Sequence, residues 1–195
     1  MKKFLVSAAA VAVFGASSAF AQAVPVFGDD LTVTLSAEVG EVCGARLNAG
    51  DGLNLDVDFG ELTNTPAADQ VAVGGGSITY VCNVLAGFTR EFSSDNDGYL
   101  VLDGVSTTNA QRRIAWTVAG SGAQGNQGLA ETQLTSPVVQ SRGNGGGLWR
   151  NGQTSGLTFR ADGVAVPSAA SSGITTTTVF AGDYSDVMRI SIRAN

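Results

Sequence analysis

Two short motifs in this sequence could do chemistry, a glycine-rich loop and a group of acidic residues. Gly120–Gly125 matches the G-x-G-x-x-G pattern of a phosphate-binding loop, which needs a helix directly after it to turn its amides toward a pyrophosphate. Residues 126–128 are Asn-Gln-Gly, so the motif predicts a connection between strands. Asp95–Gly98 resembles the start of a calcium loop but lacks the glutamate that completes one, and it predicts a turn.

The composition excludes most catalytic and metal chemistry. The chain has 0 histidines, which rules out Ser–His and Cys–His catalysis and every metal site that needs imidazole. Its carboxylates are scattered, and an acid/base pair assembled across strands is the one enzymatic arrangement that the sequence leaves open. We therefore expect no enzyme, no catalytic residue, no metal ligand and no cofactor.

The charge balance bears on possible partners. The chain carries 17 acidic and 11 basic side chains, for a formal net charge of −6. Its lysines are Lys2 and Lys3, and all later cations are arginines. An acidic chain of this kind offers no basic surface to a phosphate backbone, so we expect no nucleic-acid partner.

The first residues have the organisation of a secretory signal. Lys2 and Lys3 precede an apolar run from Phe4 to Phe14, and Ala19–Ala21 has the A-x-A form of a cleavage site. Residues 1–21 are therefore predicted to be a signal peptide, and the mature chain is expected to begin at Gln22. Because no later segment has the length and hydropathy of a membrane span, we expect no membrane insertion of the mature chain.

Two cysteines, Cys43 and Cys82, remain in the exported chain. In an oxidising compartment such a pair most simply forms a disulfide, and neither C-x-x-C spacing nor further ligands suggest redox or metal chemistry. Closing the loop between them would stabilise the fold by roughly 3–4 kcal/mol.

Alternation of apolar and polar residues predicts an all-β fold. It is clearest at Leu31–Val39, at Leu53–Phe59, at Ile78–Cys82 after an expected turn at Gly74–Gly76, and at Met188–Ala194. Short strands at this spacing, separated by Gly, Asn, Asp and Ser clusters, favour a β-sandwich formed by one domain.

The amphipathic segment after the signal admits two interpretations. It is either the first strand of a complete monomeric sandwich or a strand that one subunit donates to another, as in donor-strand complementation. The second interpretation suits a sandwich whose last apolar strand leaves an open edge, since such an edge is an aggregation hazard unless another strand covers it. The apolar side chains on one face of this segment are Leu31, Val33, Leu35, Ala37 and Val39.

Three stretches carry a resemblance to a known family. The chain contains "LTVTLSAEVGEVC" before and including the first cysteine, "GGSITYVCN" around the second, and a closing "FAGDYSDVMRISIRAN". Together they resemble the spore coat protein U-like family, which includes subunits of archaic chaperone–usher pili.

The resemblance implies an immunoglobulin-like, pilin-type β-sandwich that lacks one strand and is completed by donor-strand exchange. Residues 22–40 would be the donor segment, with Leu31, Val33, Leu35, Ala37 and Val39 as its inserted side chains, and residues 41–195 would be the sandwich. Cys43–Cys82 would be the family's disulfide. The residues expected to flank the acceptor groove are Met188, Ile190 and Ile192.

Family members of this kind are held by a periplasmic chaperone, passed to an outer-membrane usher, and polymerised with copies of themselves or sibling subunits. The resemblance therefore implies passage through the periplasm to the cell surface and a role as a fibre subunit in adhesion or biofilm formation. The alternative is a monomeric extracellular module that binds carbohydrate through Trp116 or Trp149, since indoles stack on sugars.

Overall fold

The computed structural model describes residues 32–48, 52–122, 128–166 and 176–195. Two short 3-10 helices cover Ala110–Arg112 and Gly145–Asn151. The strands in these residues are, in chain order, β1 (Cys43–Leu47), β2 (Gln70–Cys82), β3 (Phe88–Ser94), β4 (Tyr99–Leu102), β5 (Arg113–Gly122), β6 (Leu129–Thr132), β7 (Val138–Arg142), β8 (Gln153–Asp162), β9 (Ala165–Val166), β10 (Thr176–Thr177), β11 (Tyr184–Ser185) and β12 (Met188–Ala194).

The chain divides into two compact units, Met1–Glu38 and Val39–Asn195. In the first unit residues 32–38 are described, and they are exposed and belong to no strand. The predicted signal peptide, residues 1–21, lies outside the described residues. All twelve strands belong to the second unit.

Ten of the twelve strands of the second unit form two antiparallel sheets around a common core, and β9 and β10 pair with each other in a separate two-stranded sheet. The larger sheet has the order β1-β2-β8-β5-β4-β11 with β6 beside β5, and the smaller has the order β12-β3-β7. Tyr80, Trp116 and Phe159 of the larger sheet share one hydrophobic cluster with Phe88 and Phe92 of the smaller. The chain is therefore an all-β sandwich, which confirms the predicted fold class.

The central strand β8 shows how the sequence determines burial. It lies between β2 and β5, and its buried residues are Ser155, Leu157, Phe159 and Ala161, with partly exposed residues between them. This period of two is that of a strand with one face toward a core. The same period in the sequence of β12 is the reason that its range, Met188–Ala194, was predictable.

The glycines at 74–76 do not form the turn that the sequence predicted. They lie within β2, where the pairing with β8 shifts between Gly74 and Ser77. A Cβ on Gly75 would stand 2.2 Å from Cε2 of Phe159, and Gly76 has a φ of 69°. The prediction was wrong because these glycines admit an aromatic ring and a β-bulge within one long strand.

The predicted strand at Leu53–Phe59 was also wrong. Residues 53–61 run between β1 and β2 but belong to no strand. Val57 and Phe59 nevertheless pack against the core cluster. The alternation in this segment therefore reflects the burial of one face, and it does not require hydrogen bonding to a neighbouring strand.

A buried arginine links the two sheets. Arg90 of β3 is 1% exposed, and its guanidinium carbon lies 4.9 Å from the ring centre of Tyr80 and 5.1 Å from that of Phe92. It donates to Oε1 of Gln140 at 2.9 and 2.6 Å and to the carbonyl of Gly128 at 3.0 Å. Burial lowers the pKa of Arg90 and raises the pKa of Tyr80, because it disfavours the charged form of each.

Gly75→Ala should lower the free energy of unfolding by about 1–3 kcal/mol, because the added methyl group overlaps the Phe159 ring and the core must shift. Gly74→Ala is the matched control, since a Cβ there meets nothing within 4 Å. Urea unfolding of both variants measures the difference. An equal effect of the two substitutions would contradict the packing described for Gly75.

Candidate functional site

A groove opens into the core beside the last strand. It has a volume of ≈ 1180 Å³ and reaches the inward side chains of the larger sheet. Two further stretches border it, residues 53–63 and residues 179–188, together with Thr177 and Ile190. The larger sheet contributes residues 45–47 of β1 and, from its other strands, the side chains of Ile78, Leu100, Ile114, Trp116, Leu157 and Phe159.

Strand β12 supplies a free backbone edge at this groove. On one side it pairs with β3 along its whole length, from Met188 opposite Ser94 to Ala194 opposite Phe88. On its other side it pairs with no strand of the described ranges. An edge of this kind presents unpaired N–H and C=O groups to any strand that can reach it.

The three residues predicted to flank an acceptor groove occupy the inward positions of β12. Met188, Ile190 and Ile192 are half-buried and pack against the core cluster. Met188 and Ile190 also line the groove, whereas Ile192 packs against the core outside the groove lining. Their role toward a donor strand stays a prediction.

The extended segment 53–61 lines the groove as well. Its half-buried apolar residues are Leu55, Val57 and Phe59. Asp58 Oδ1 accepts a hydrogen bond from the Gly60 backbone N–H at 2.7 Å, so the local side chain stabilises the bend at its end.

The segment ends in a second local turn. Glu61 accepts hydrogen bonds from the side chain and the backbone of Thr63. These bonds favour the carboxylate form, and they hold the pKa of Glu61 below its ordinary value.

Asp186 holds the closing segment of the chain to both sheets. Its carboxylate accepts hydrogen bonds from Ser94 Oγ at 2.5 Å, from the backbone and side chain of Asn96 at 3.1 Å each, and from Trp116 Nε1 at 2.9 Å. It also accepts one from the Val187 N–H at 2.8 Å. Since Trp116 belongs to the larger sheet and Ser94 to the smaller, this one side chain joins the two sheets beside the groove.

The residues before Asp186 bring the chain back against β4. Tyr184 pairs with Leu102, and its hydroxyl donates to the carbonyl of Phe180 at 2.8 Å. Burial raises the pKa of Tyr184. A Cβ on Gly182 would stand 2.4 Å from Cδ1 of Leu102, and the φ of 148° at this position favours glycine as well. The quoted motif "AGDYSD" thus has a structural role at each of its Gly, Tyr and final Asp positions.

The predicted donor side chains are strongly exposed where the structure describes them. Val33 is 69% exposed, Leu35 is 89% exposed and Val39 is 84% exposed, and Ala37 is exposed as well. Residues 32–40 belong to no strand, and Leu31 lies outside the described residues. The structure therefore leaves an apolar face of alternating residues in solvent.

The disulfide lies where this segment joins the sandwich. Cys43 is bonded to Cys82, and the two residues are directly opposite each other in the β1–β2 ladder. Cys82 is 0% exposed, so the bond fixes the start of β1 to the core.

Both tryptophans are buried. Trp116 is 3% exposed and Trp149 is 1% exposed. Their indole N–H groups donate to Asp186 Oδ2 at 2.9 Å and to the Gly143 carbonyl at 3.0 Å. Neither ring presents a face on the surface for a sugar to stack on.

The two motifs that could have done chemistry, residues 95–98 and the described part of the glycine-rich stretch that begins at Gly120, lie in a connection between strands and in a strand. Residues 95–98 connect β3 to β4 with positive φ values of 55° at Asp97 and 75° at Gly98. Gly120 and Gly122 lie in β5, and residues 123–127 are outside the described residues. Among the described residues, no group of three or more His, Cys, Asp or Glu side chains could hold a metal ion.

The same described ranges contain no helix that is long and apolar enough to cross a membrane.

Asp186→Ala should lower the free energy of unfolding by about 2–4 kcal/mol, because it leaves the buried indole N–H of Trp116 and the Ser94 hydroxyl without their acceptor. The matched control is Asp183→Ala in the same turn. The Asp183 backbone carbonyl accepts a hydrogen bond from the Asp103 N–H at 2.8 Å, and the substitution keeps this carbonyl. Chemical unfolding followed by tryptophan fluorescence compares the two. Equal stabilities would contradict the role given to Asp186.

No protein-family model and no curated protein match the chain. Among solved structures, it is similar to a chain of a chaperone–tip adhesin complex of CFA/I fimbriae, with a TM-score of 0.44 and 14% sequence identity. The similarity covers 78% of this chain and 42% of that one, so it extends over less than half the length of the structural neighbour.

Proposed function

We propose that this protein is a non-enzymatic structural subunit of a secreted surface fibre of the chaperone–usher type, assembled by donor-strand complementation and used in adhesion or biofilm formation. The observation that carries the proposal is the open groove beside β12, whose outer backbone edge pairs with no strand of the described residues. The exposed, alternating segment that precedes the first cysteine supplies a strand of matching chemistry.

The donor would bind the groove through both its backbone and its side chains. At about 3.3 Å per residue, the nine residues of Leu31–Val39 extend over roughly 30 Å, which is enough to follow the whole of β12. Its backbone would complete the hydrogen bonding of the free β12 edge. Alternate side chains would enter the groove, while Thr32, Thr34 and Ser36 would remain in solvent.

The apolar contacts of this arrangement are substantial. Burying Val33, Leu35 and Val39 fully would contribute about 5–9 kcal/mol at about 1.5–3 kcal/mol each. Covering Met188, Ile190 and the exposed edge of the core adds to this, and the ordering of the donor backbone opposes it. An inserted strand of this kind leaves slowly, so the polymer would be kinetically stable.

The same groove explains why such a subunit would need protection before assembly. An uncovered apolar edge invites non-specific pairing, so a periplasmic chaperone would cover it until an outer-membrane usher brings the next subunit. In this organisation, residues 1–21 direct export, residues 22–40 form the donor segment, and residues 41–195 form the sandwich. Other copies of this chain or sibling subunits would be the final partners.

The carbohydrate-binding alternative makes a different prediction. It expects a folded monomer whose affinity for glycans depends on Trp116 or Trp149. The burial of both indoles gives this alternative no exposed stacking surface, and the fibre subunit is therefore the function that the geometry supports best.

Leu35→Asp should abolish polymer formation while the disulfide-linked sandwich stays folded, because a carboxylate on the inserted face would have to be buried without a partner. Thr34→Asp is the matched control. It places the same charge one residue away, on the face that remains in solvent. Light scattering of the purified mature proteins measures polymer size.

Polymers of equal size from both variants would contradict the proposal. Loss of polymers with Thr34→Asp alone would overturn the assignment of the inserted face, because a shift of one residue exchanges the two faces of a strand.

A further inference from the structure

Asn83 connects the end of β2 to the residues that precede β1. Its backbone N–H donates to the carbonyl of Val42 at 2.9 Å, and its side-chain Oδ1 accepts from the Val42 N–H at 2.7 Å. Its Nδ2 donates to the carbonyl of Gly40 at 2.8 Å. Because Cys43 lies opposite Cys82 in the ladder, these bonds continue the β1–β2 pairing beyond the disulfide.

The backbone on both sides of Asn83 is held by a second amide. Asn144 is 2% exposed, and its Nδ2 donates to the carbonyls of Cys82 at 2.9 Å and Val84 at 3.0 Å. Its Oδ1 accepts from the Trp149 N–H at 3.1 Å. The position of Asn83 is therefore set by buried groups, although its own side chain reaches an exposed stretch of chain.

The residues that Asn83 holds have little packing of their own. Val39 and Val42 are 84% and 58% exposed, and a Cβ on Gly40 would meet nothing within 4 Å. Glycine also allows the backbone more conformations than any other residue. Without the two side-chain hydrogen bonds of Asn83, the chain would be free to hinge at Gly40.

We infer that Asn83 is a positioning residue that stiffens the joint between successive subunits of the fibre, an inference that rests on the proposed function. In a strand-donated fibre, residues 40–42 span the junction between the donor segment, which is inserted in a second copy of this chain, and the sandwich from which it comes. Hydrogen bonds that fix Gly40 and Val42 restrict the angles available to that link. Asn83 acts through residues 40–42 and does not contact the groove.

The test compares fibres of the full chain with fibres of three variants. Asn83→Ala removes both side-chain bonds, and Asn83→Asp keeps the acceptor for the Val42 N–H. Asn48→Ala is the matched control, since Asn48 Nδ2 donates to Ser77 Oγ at 2.9 Å and to Thr79 Oγ1 at 3.0 Å just beyond the other end of β1. Electron microscopy gives the bending persistence length, and an unboiled denaturing gel shows whether each variant polymerises.

We expect the persistence length to fall about twofold or more with Asn83→Ala, to fall less with Asn83→Asp, and to keep its wild-type value with Asn48→Ala. Hydrogen exchange of the Val42 amide in the same samples should become about tenfold faster with Asn83→Ala. A loss of stability alone would not produce bending that is specific to position 83.

The outcomes separate this inference from the proposed function. Polymer ladders from every variant, with unchanged bending for Asn83→Ala, would overturn the inference and leave the fibre subunit standing. If Asn83→Ala does not assemble, the persistence length is measured on the Asn83→Asp fibres instead. A wild-type persistence length for Asn83→Asp would then overturn the inference as well. The absence of ladders from the wild-type chain would overturn the proposed function and this inference with it.

Discussion

A sandwich with an apolar interior needs each sheet edge that borders the core to be paired or covered, and one edge of β12 pairs with no strand of the described residues. The strand is well fixed on its other side, where it pairs with β3 over all seven residues. Its inward residues Met188 and Ile190 therefore remain half-buried at the border of a groove into the core. The exposed N-terminal segment gains its proposed role from this unpaired edge.

The closing segment keeps the groove in a defined shape. Asp186 ties β12 to Ser94 on one sheet and to Trp116 on the other, so the two layers are linked at the border of the opening. The disulfide and Asn83 perform a similar task where the N-terminal segment enters the sandwich. Under the proposed function, these contacts would give each subunit a rigid acceptor groove and a firmly attached donor segment.

Much of the fold was predictable because period-two alternation reports burial directly. The range of β12 followed from its sequence, as did the pairing of the two cysteines. The turn predicted at residues 74–76 was wrong because glycine is found both in turns and where an aromatic ring packs closely against the backbone. The Phe159 ring that requires Gly75 is remote in sequence. The buried Arg90 was not predictable, since arginine is rarely buried.

The groove could not be predicted from the sequence. It brings residues 53–63 to the same opening as Met188 and Ile190, and no local pattern reveals a contact at that sequence distance. The sequence marked Leu53–Phe59 as amphipathic but could not show that the segment would belong to no strand. The donor role of Leu31–Val39 depends on a second copy of the chain and stays a prediction.

The most direct measurement is the size of the mature protein on a denaturing gel, unboiled and boiled, with and without residues 22–40. Strand donation predicts a ladder of polymers for the mature chain that keeps residues 22–40, its collapse to a single band on boiling, and no ladder for the shortened chain. A monomer in every lane, folded and soluble without a chaperone, would contradict strand donation and show that the sandwich is complete.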